Sequence, residues 1–180
     1  MKLNTERLYI RDWKNADMPS MIEMLNERKV HEFTRVPYPY DMKEAKKFMD
    51  IIRKDKKSKH MGVFLKETDE LVGSCSLKDI DTKIGKTEMG YIVHRSHRKK
   101  GFATEIGRAL LKHAFETLKL NKVNINCVIE NKASANVIKK LGAKREGILR
   151  KDVIIGDRPR DHVINSILRE EYIKKYKKGM

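Results

Sequence analysis

Residues 87–118 are the stretch that most limits how this chain can fold. Thr87–Val93 reads as a strand. Ala103–Leu118 reads as a helix, with Ala103, Ile106, Gly107, Leu110, Leu111, Ala114, Phe115 and Leu118 on one face. Between them runs a basic loop with one glycine, Arg98-Lys99-Lys100-Gly101-Phe102-Ala103. A strand, a short loop and a long amphipathic helix in this order demand a sheet with a helix packed on it and a crossover to a parallel neighbour. They also form an anion cradle. The first amides of a helix lack partners within it, the helix dipole adds positive potential, and Gly101 lets the backbone come close to a phosphate. The chain is expected to bind a phosphorylated small molecule at this point.

With 180 residues the chain fits one domain with a real core. That domain is placed at residues 1–168, and residues 169–180 read as a basic tail free to fray. Charged residues make up 37% and the formal net charge is +16, which favours polyanionic neighbours and disfavours a polycationic substrate. No apolar run approaches ~20 residues, and the N-terminus lacks an apolar leader, so no membrane partner and a cytoplasmic location are expected. Cys75 and Cys127 each lie in an apolar, strand-like run and read as small buried residues, not as a disulfide framework.

Along the chain, Leu8–Arg11 alternates as a strand, Asp17-Met18-Pro19 opens a helix, and Val36-Pro37-Tyr38-Pro39-Tyr40 is a stiff loop. Asp41 caps a second helix with Ala45, Phe48, Met49 and Ile52 inward. Met61–Lys66, Leu71–Ile80 and Thr87–Val93 form a meander. Lys122–Ile129 is a strand with Val123, Ile125, Cys127 and Ile129 on one face. Asn131 starts a helix that stops at Gly142, and Ala143–Lys151 pairs with His162–Leu168 as a closing hairpin. The expected fold class is α/β (α+β), a mixed, mostly antiparallel sheet flanked by helices, in the order β-αα-βββ-α-β-α-ββ. Ligands of such sheets bind beyond the carboxyl ends of strands, where the cradle lies.

The cradle is neither a dinucleotide fingerprint nor a Walker loop, because the required glycines are absent. Arg98-x-x-Gly101-x-Ala103 after Glu88-x-Gly90-Tyr91 resembles the acetyl-CoA motif of the GNAT acyltransferases. A second matching segment is Asn131-Lys132-Ala133-Ser134 through Leu141-Gly142-Ala143. Asn4–Arg11 and Arg145–Arg150 resemble the RimJ/RimL branch of that family.

The resemblance implies an acetyl-CoA-dependent N-acetyltransferase with no metal. The diphosphate of acetyl-CoA would sit on the amides of Arg98, Lys99, Lys100, Gly101, Phe102, Ala103 and Thr104. Ile92, Val93 and His94 would hold the pantetheine arm at a splay in the sheet, with Asn131 bonding the same arm. An acceptor amine would attack the thioester directly, with Glu88 as general base. Many relatives carry a tyrosine acid at the place of Ile138, and isoleucine cannot donate a proton. In the RimJ/RimL branch a serine three residues after the asparagine takes that role, here Ser134, which also touches the cofactor. Tyr38 and Tyr40 are expected to line the acceptor mouth.

An α-amine has a pKa of ~7.7–8.0 and a lysine ~10.4, so an α-amine needs the weaker base. The missing tyrosine therefore leans toward protein N-terminal α-amines. The resemblance implies a ribosomal protein as acceptor, and the positive charge suits association with a ribosome. Three rival readings stand beside this one, the last a chain that keeps the fold and cofactor but acts as a sensor without catalysis. The first is acetylation of a small amine, such as a polyamine or antibiotic. The second is a non-enzymatic RNA-binding module, although no RNA-binding signature supports it. His31-Glu32-Phe33-Thr34-Arg35 lacks the second histidine of a zinc motif. The oligomeric state stays open, a homodimer included.

Overall fold

The computed structural model describes residues 1–177. The chain begins with a short strand, β1 (Lys2–Asn4), paired antiparallel with β2 (Leu8–Asp12). Three helices follow: α1 (Met18–Leu25), α2 (Arg28–Phe33) and α3 (Met42–Lys54). The helix expected from Asp17-Met18-Pro19 is α1; α2 has no counterpart in the sequence reading, since Val30 alone of its six residues is buried and it shows no apolar face of helical period. Asp41 caps α3 as expected, its carboxylate accepting the Glu44 amide at 2.9 Å. The meander consists of β3 (Lys59–Leu65), β4 (Leu71–Asp81) and β5 (Lys86–Val93), all antiparallel.

A turn at Arg95–His97 leads into α4 (Phe102–Lys112), which continues as a wider π turn over His113–Thr117. The crossover delivers β6 (Lys122–Asn124), parallel to β5, with Thr87 beside Val123 and Glu88 beside Asn124. Then come β7 (Cys127–Val128), α5 (Lys132–Leu141) and a long hairpin, β8 (Lys144–Ile155) with β9 (Arg158–Leu168). Both β6 and β7 pair with β9, so the sheet runs β1-β2-β3-β4-β5-β6-β9-β7 with β8 beside β9. This is the expected mixed, mostly antiparallel sheet with helices on both faces.

Two cores lie on opposite faces. Ile106, Leu110, Leu111 and Phe115 of α4 pack with Met89, Val123, Ile125, Ile138 and Leu141. Each such side chain contributes ~2 kcal/mol when fully buried. A Cβ on Gly107 would come within 2.6 Å of Leu141, so this glycine lets α5 lie close to α4. On the other face, Met21 and Met24 of α1 pack with Tyr40, Ala45, Met49 and Phe64.

The segment expected to fray is a correction. Residues Arg169–Tyr176 form a helix, α6. Tyr172 is buried against Phe115, with ring centroids 5.1 Å apart, and Tyr176 donates its hydroxyl to the Leu141 carbonyl at 2.9 Å. Residues 178–180 of the expected tail lie outside the described residues.

Candidate active site

The sheet parts where the cradle loop leaves it. β5 is paired with β6 only from Lys86 to Glu88, and β7 pairs with β9 instead. From Met89 to Val93, β5 therefore keeps β4 on one edge and an open slot on the other. The break between β6 and β7 has a local cause. Ile125 donates its amide to the Asn165 carbonyl, but Asn165 donates its own amide to the side chain of Asn126, at 3.1 Å. A side-chain oxygen thus takes the place of a ladder carbonyl.

Strand alternation decides which backbone groups face the slot. His94 donates its amide to Val72 on β4 at 2.8 Å, and a Cβ on Gly73 of β4 would collide with the Ile92 carbonyl. Ile92 and His94 therefore point their backbone groups at β4. Tyr91 and Val93 point theirs into the slot. Of the three residues expected to line it, only Val93 does so, and Tyr91 joins it.

The cradle follows. Arg98 donates its amide to Arg95 at 3.4 Å and Thr104 donates its amide to Gly101 at 3.1 Å. The five amides between them, Lys99 to Ala103, have no acceptor among the described residues. Both ends of the expected seven-residue cradle are thus already engaged. Gly101 has φ +84°, and Lys99 also sits in the left-handed region at φ +61°. Such a backbone costs a non-glycine residue ~1 kcal/mol or more, and here it turns the row of amides outward. Lys99 and Lys100 are exposed. These features fit a diphosphate.

The N-terminal segment braces the cradle from behind, which sequence reasoning missed. Glu105, in the first turn of α4, accepts from the Thr5 hydroxyl at 2.5 Å, the Arg7 amide at 3.0 Å and the Arg7 guanidinium at 2.6 Å. Burial pushes the Glu105 carboxyl up, but Thr5, the Arg7 amide and the Arg7 guanidinium together hold it below its ordinary range. Arg7 also donates to the Lys100 carbonyl at 3.1 Å and lies 4.3 Å above the Phe102 ring.

The two faces of the slot carry different groups. Thr87, Met89 and Tyr91 alternate toward α4, and Glu88, Gly90 and Ile92 toward α1 and α3. On the α4 side, the Tyr91 hydroxyl lies 3.3 Å from Ser134 Oγ. Burial raises the Tyr91 pKa to about 12, which keeps the phenol protonated; the Ser134 hydrogen bond works the other way. The thiol of Cys127 is also raised by burial. Ser134 donates its amide to Asn131 Oδ1 at 3.0 Å, the helix cap of α5. Ile138 is buried in the core. On the opposite face, Glu88 is half-buried and accepts from Asn126 Nδ2 at 3.0 Å.

The expected acceptor tyrosines separate. Tyr38 is exposed, its ring edge-on to His31 at 4.7 Å. Tyr40 is a core residue, which corrects its expected place at the mouth. Asn26 donates to its carbonyl at 2.6 Å and accepts from its amide at 2.8 Å, holding the backbone so that the ring turns inward onto Met21. Among the described residues no group of three or more His, Cys, Asp or Glu could hold a metal, and no helix is long and apolar enough to cross a membrane.

A slot between parted strands, beside a row of free amides at a helix start, defines a class: transferases that hold an acyl carrier along a strand and present its thioester through the sheet. The comparisons agree. The model of the acetyltransferase (GNAT) domain matches residues 7–144, and the chain belongs to that family of N-acetyltransferases. The uncharacterized N-acetyltransferase p20 of Bacillus licheniformis is 29% identical over 173 residues, covering 94% of this chain and 97% of that one. YdaF of Bacillus subtilis, provisionally named a ribosomal N-acetyltransferase, is 33% identical over 102 residues, 57% of this chain and 56% of that protein. The structure of spermidine N-acetyltransferase from Vibrio cholerae with CoA and spermine superposes with a TM-score of 0.82 at 22% identity, covering 94% of this chain and 99% of that one.

Proposed function

We propose that this protein acetylates the α-amine of a protein N-terminus, using acetyl-CoA, in the manner of the RimJ/RimL branch. The observation that carries the reading is the slot beyond Glu88, with a carboxylate on one face, a serine–tyrosine pair on the other and the amide row at its end. The amides of Lys99 to Ala103 take the diphosphate, with Lys99 and Lys100 supplying positive charge. The backbone groups of Tyr91 and the amide of Val93 hold the pantetheine arm, the Val93 carbonyl being taken by Arg98, and Asn131 lies at the start of the helix that flanks it. Acetyl-CoA supplies the activated acetyl group.

Glu88 takes a proton from the attacking nitrogen, directly or through water, and Asn126 orients the carboxylate. Ser134 faces the departing sulfur, with the Tyr91 hydroxyl behind it. A serine hydroxyl is a weak acid, so this arrangement serves an acceptor that needs little activation. An α-amine meets that condition at neutral pH, and a lysine or polyamine does not. The net charge of +16 also opposes a polycationic acceptor and favours approach to a ribosome, the setting suggested by the name of YdaF.

The test is a thiol-release assay with acetyl-CoA against peptides varied at the first residue, with spermidine and an aminoglycoside in parallel. Turnover of peptides above both small amines supports the reading, and the reverse order replaces it with small-amine acetylation. Glu88→Gln should lower kcat at least tenfold near pH 7, and less at higher pH where the amine is already free base. A smaller loss at every pH removes Glu88 from the base role. Ser134→Ala is judged by the same threshold.

A further inference from the structure

We infer that the side-chain carbonyl of Asn124 binds the acceptor nitrogen and makes the enzyme select primary over secondary amines. This rests on the acetyl-transfer reading above and adds the chemistry of the acceptor. Asn124 lies directly beside Glu88 in the parallel β5–β6 pair. Residues at one register position of a parallel pair project to the same face, so the Asn124 carboxamide and the Glu88 carboxylate share the face opposite α4. Val123 and Ile125 on either side of Asn124 are in the α4 core, which confirms that parity.

Asn124 Oδ1 is buried, with no donor among the described residues. Such an orphaned acceptor is costly and calls for a partner. Two polar neighbours, Ser166 at the same register on β9 and Asn126, are otherwise occupied; the Ser166 hydroxyl donates to Glu146. Asn126 donates to Glu88, and its own oxygen accepts from Asn165. Among the described residues the other orphaned buried side-chain atoms are His31 Nε2, His97 Nδ1 and Arg160 Nε, and none lies on the strands flanking Glu88.

The reaction itself supplies the missing donor. A neutral primary amine carries two N–H groups and one lone pair. The lone pair forms the new N–C bond at the thioester carbon. The C–S bond then breaks, and its electron pair leaves on sulfur, which takes up a proton. Nitrogen loses one proton toward Glu88 and keeps the other, which remains in the amide product. Asn124 Oδ1 accepts that retained N–H throughout. A secondary amine has one N–H, loses it to the base, and leaves Asn124 with nothing to accept.

The experiment compares a good acceptor peptide with the same peptide N-methylated at its α-nitrogen, in wild type, Asn124→Ala and the near-isosteric Asn124→Leu. Wild type should prefer the primary amine by roughly tenfold or more in kcat/KM. Both variants should lose roughly tenfold or more on the primary amine and little on the methylated one, so that the ratio falls toward one. Their Kd for acetyl-CoA should stay within about twofold of wild type. A wild-type ratio near one overturns the assignment, as does a preference that persists in both variants, which marks it as steric. Absence of thiol release from wild type with every amine instead removes the acetyl-transfer reading itself.

Discussion

Arg98 grips Glu27 at two points, Nη1 to Oε1 at 2.6 Å and Nη2 to Oε2 at 2.5 Å, across 71 residues of chain. The same guanidinium donates through Nε to the Val93 carbonyl at 3.2 Å. Glu27 stands immediately before α2, whose Phe33 packs onto Val128, Val153 and Ile155 at the far side of the slot. One side chain therefore ties the end of β5 and the start of the cradle to α2, the segment proposed to border the acceptor. This gives the first residue of the Arg-x-x-Gly-x-Ala motif a role that its own amide, already bonded to Arg95, does not supply. Charge-assisted pairs of this geometry are worth ~1.5–3 kcal/mol, less where solvent screens them. Glu27→Gln should raise the acceptor KM about three- to tenfold and leave the acetyl-CoA Kd within about twofold. Steady-state kinetics with each substrate varied checks this, and equal changes in both constants would show that the pair holds the cradle rather than the acceptor segment.

Gly101→Ala tests the cradle without touching the acceptor side. The backbone there is left-handed at φ +84°, and an added Cβ would have room, its nearest neighbour being Arg7 Nη2 at 3.5 Å. The protein should fold with a loss of ~1 kcal/mol. The methyl group and the strained turn should nevertheless raise the acetyl-CoA Kd about tenfold or more by calorimetry. An unchanged Kd would mean that the five free amides are not the diphosphate site.

These two positions differ in how visible they are in the sequence. Gly101 announces itself, because a strand, a basic loop and a periodic helix meet there and only local rules are needed. The α4 face and the cap at Asp41 are legible for the same reason. Glu27 is not, since nothing in a linear sequence links it to Arg98. The β6–β7 break is hidden because the alternation of Val123, Ile125 and Cys127 runs straight through it; only Asn165 donating to Asn126 shows that a side chain has replaced the ladder. Asn124 and Asn126 are the even-numbered partners in that same alternation, so they faced Glu88 all along, yet polar residues on a strand ordinarily mean solvent. Tyr40 misled in the opposite sense, because its proline-rich flank suggested an exposed mouth while the Asn26 side chain secures it inward.

The Thr5–Arg7–Glu105 brace predicts how acid undoes the fold beside the cradle loop. Glu105 is held below the ordinary carboxylate range, so the folded state favours its ionised form. A depressed carboxylate contributes stability that is fully present above its unfolded pKa of ~4.3 and is lost as pH falls through the folded value. Thermal denaturation should therefore show Glu105→Gln lowering Tm at pH 7, with the difference shrinking as pH falls below ~4. A Tm difference that stays constant across this range would show that the Glu105 charge contributes nothing and that the loss is one of packing.

Residues 169–176 show that a charged segment can be part of a core. Tyr172 and Tyr176 recur at helical spacing, and they place their rings on one face, 5.2 Å apart. Tyr172 packs on Phe115 in the π turn that ends the α4 helix, and its hydroxyl donates to Glu116 at 2.6 Å. Burial and the neighbouring Glu116 carboxylate push the phenol pKa upward, so it stays a donor at any working pH. Because α4 carries the cradle at its other end, α6 steadies that helix from behind. Tyr172→Ala should cost ~3–5 kcal/mol in urea unfolding, the range for deleting a buried aromatic ring. Tyr172→Phe keeps the ring and loses one hydrogen bond, so it should cost only ~1 kcal/mol. Deleting residues 169–180 should be at least as damaging as Tyr172→Ala. A truncated chain with an unchanged urea midpoint would return these residues to the status of a dispensable tail.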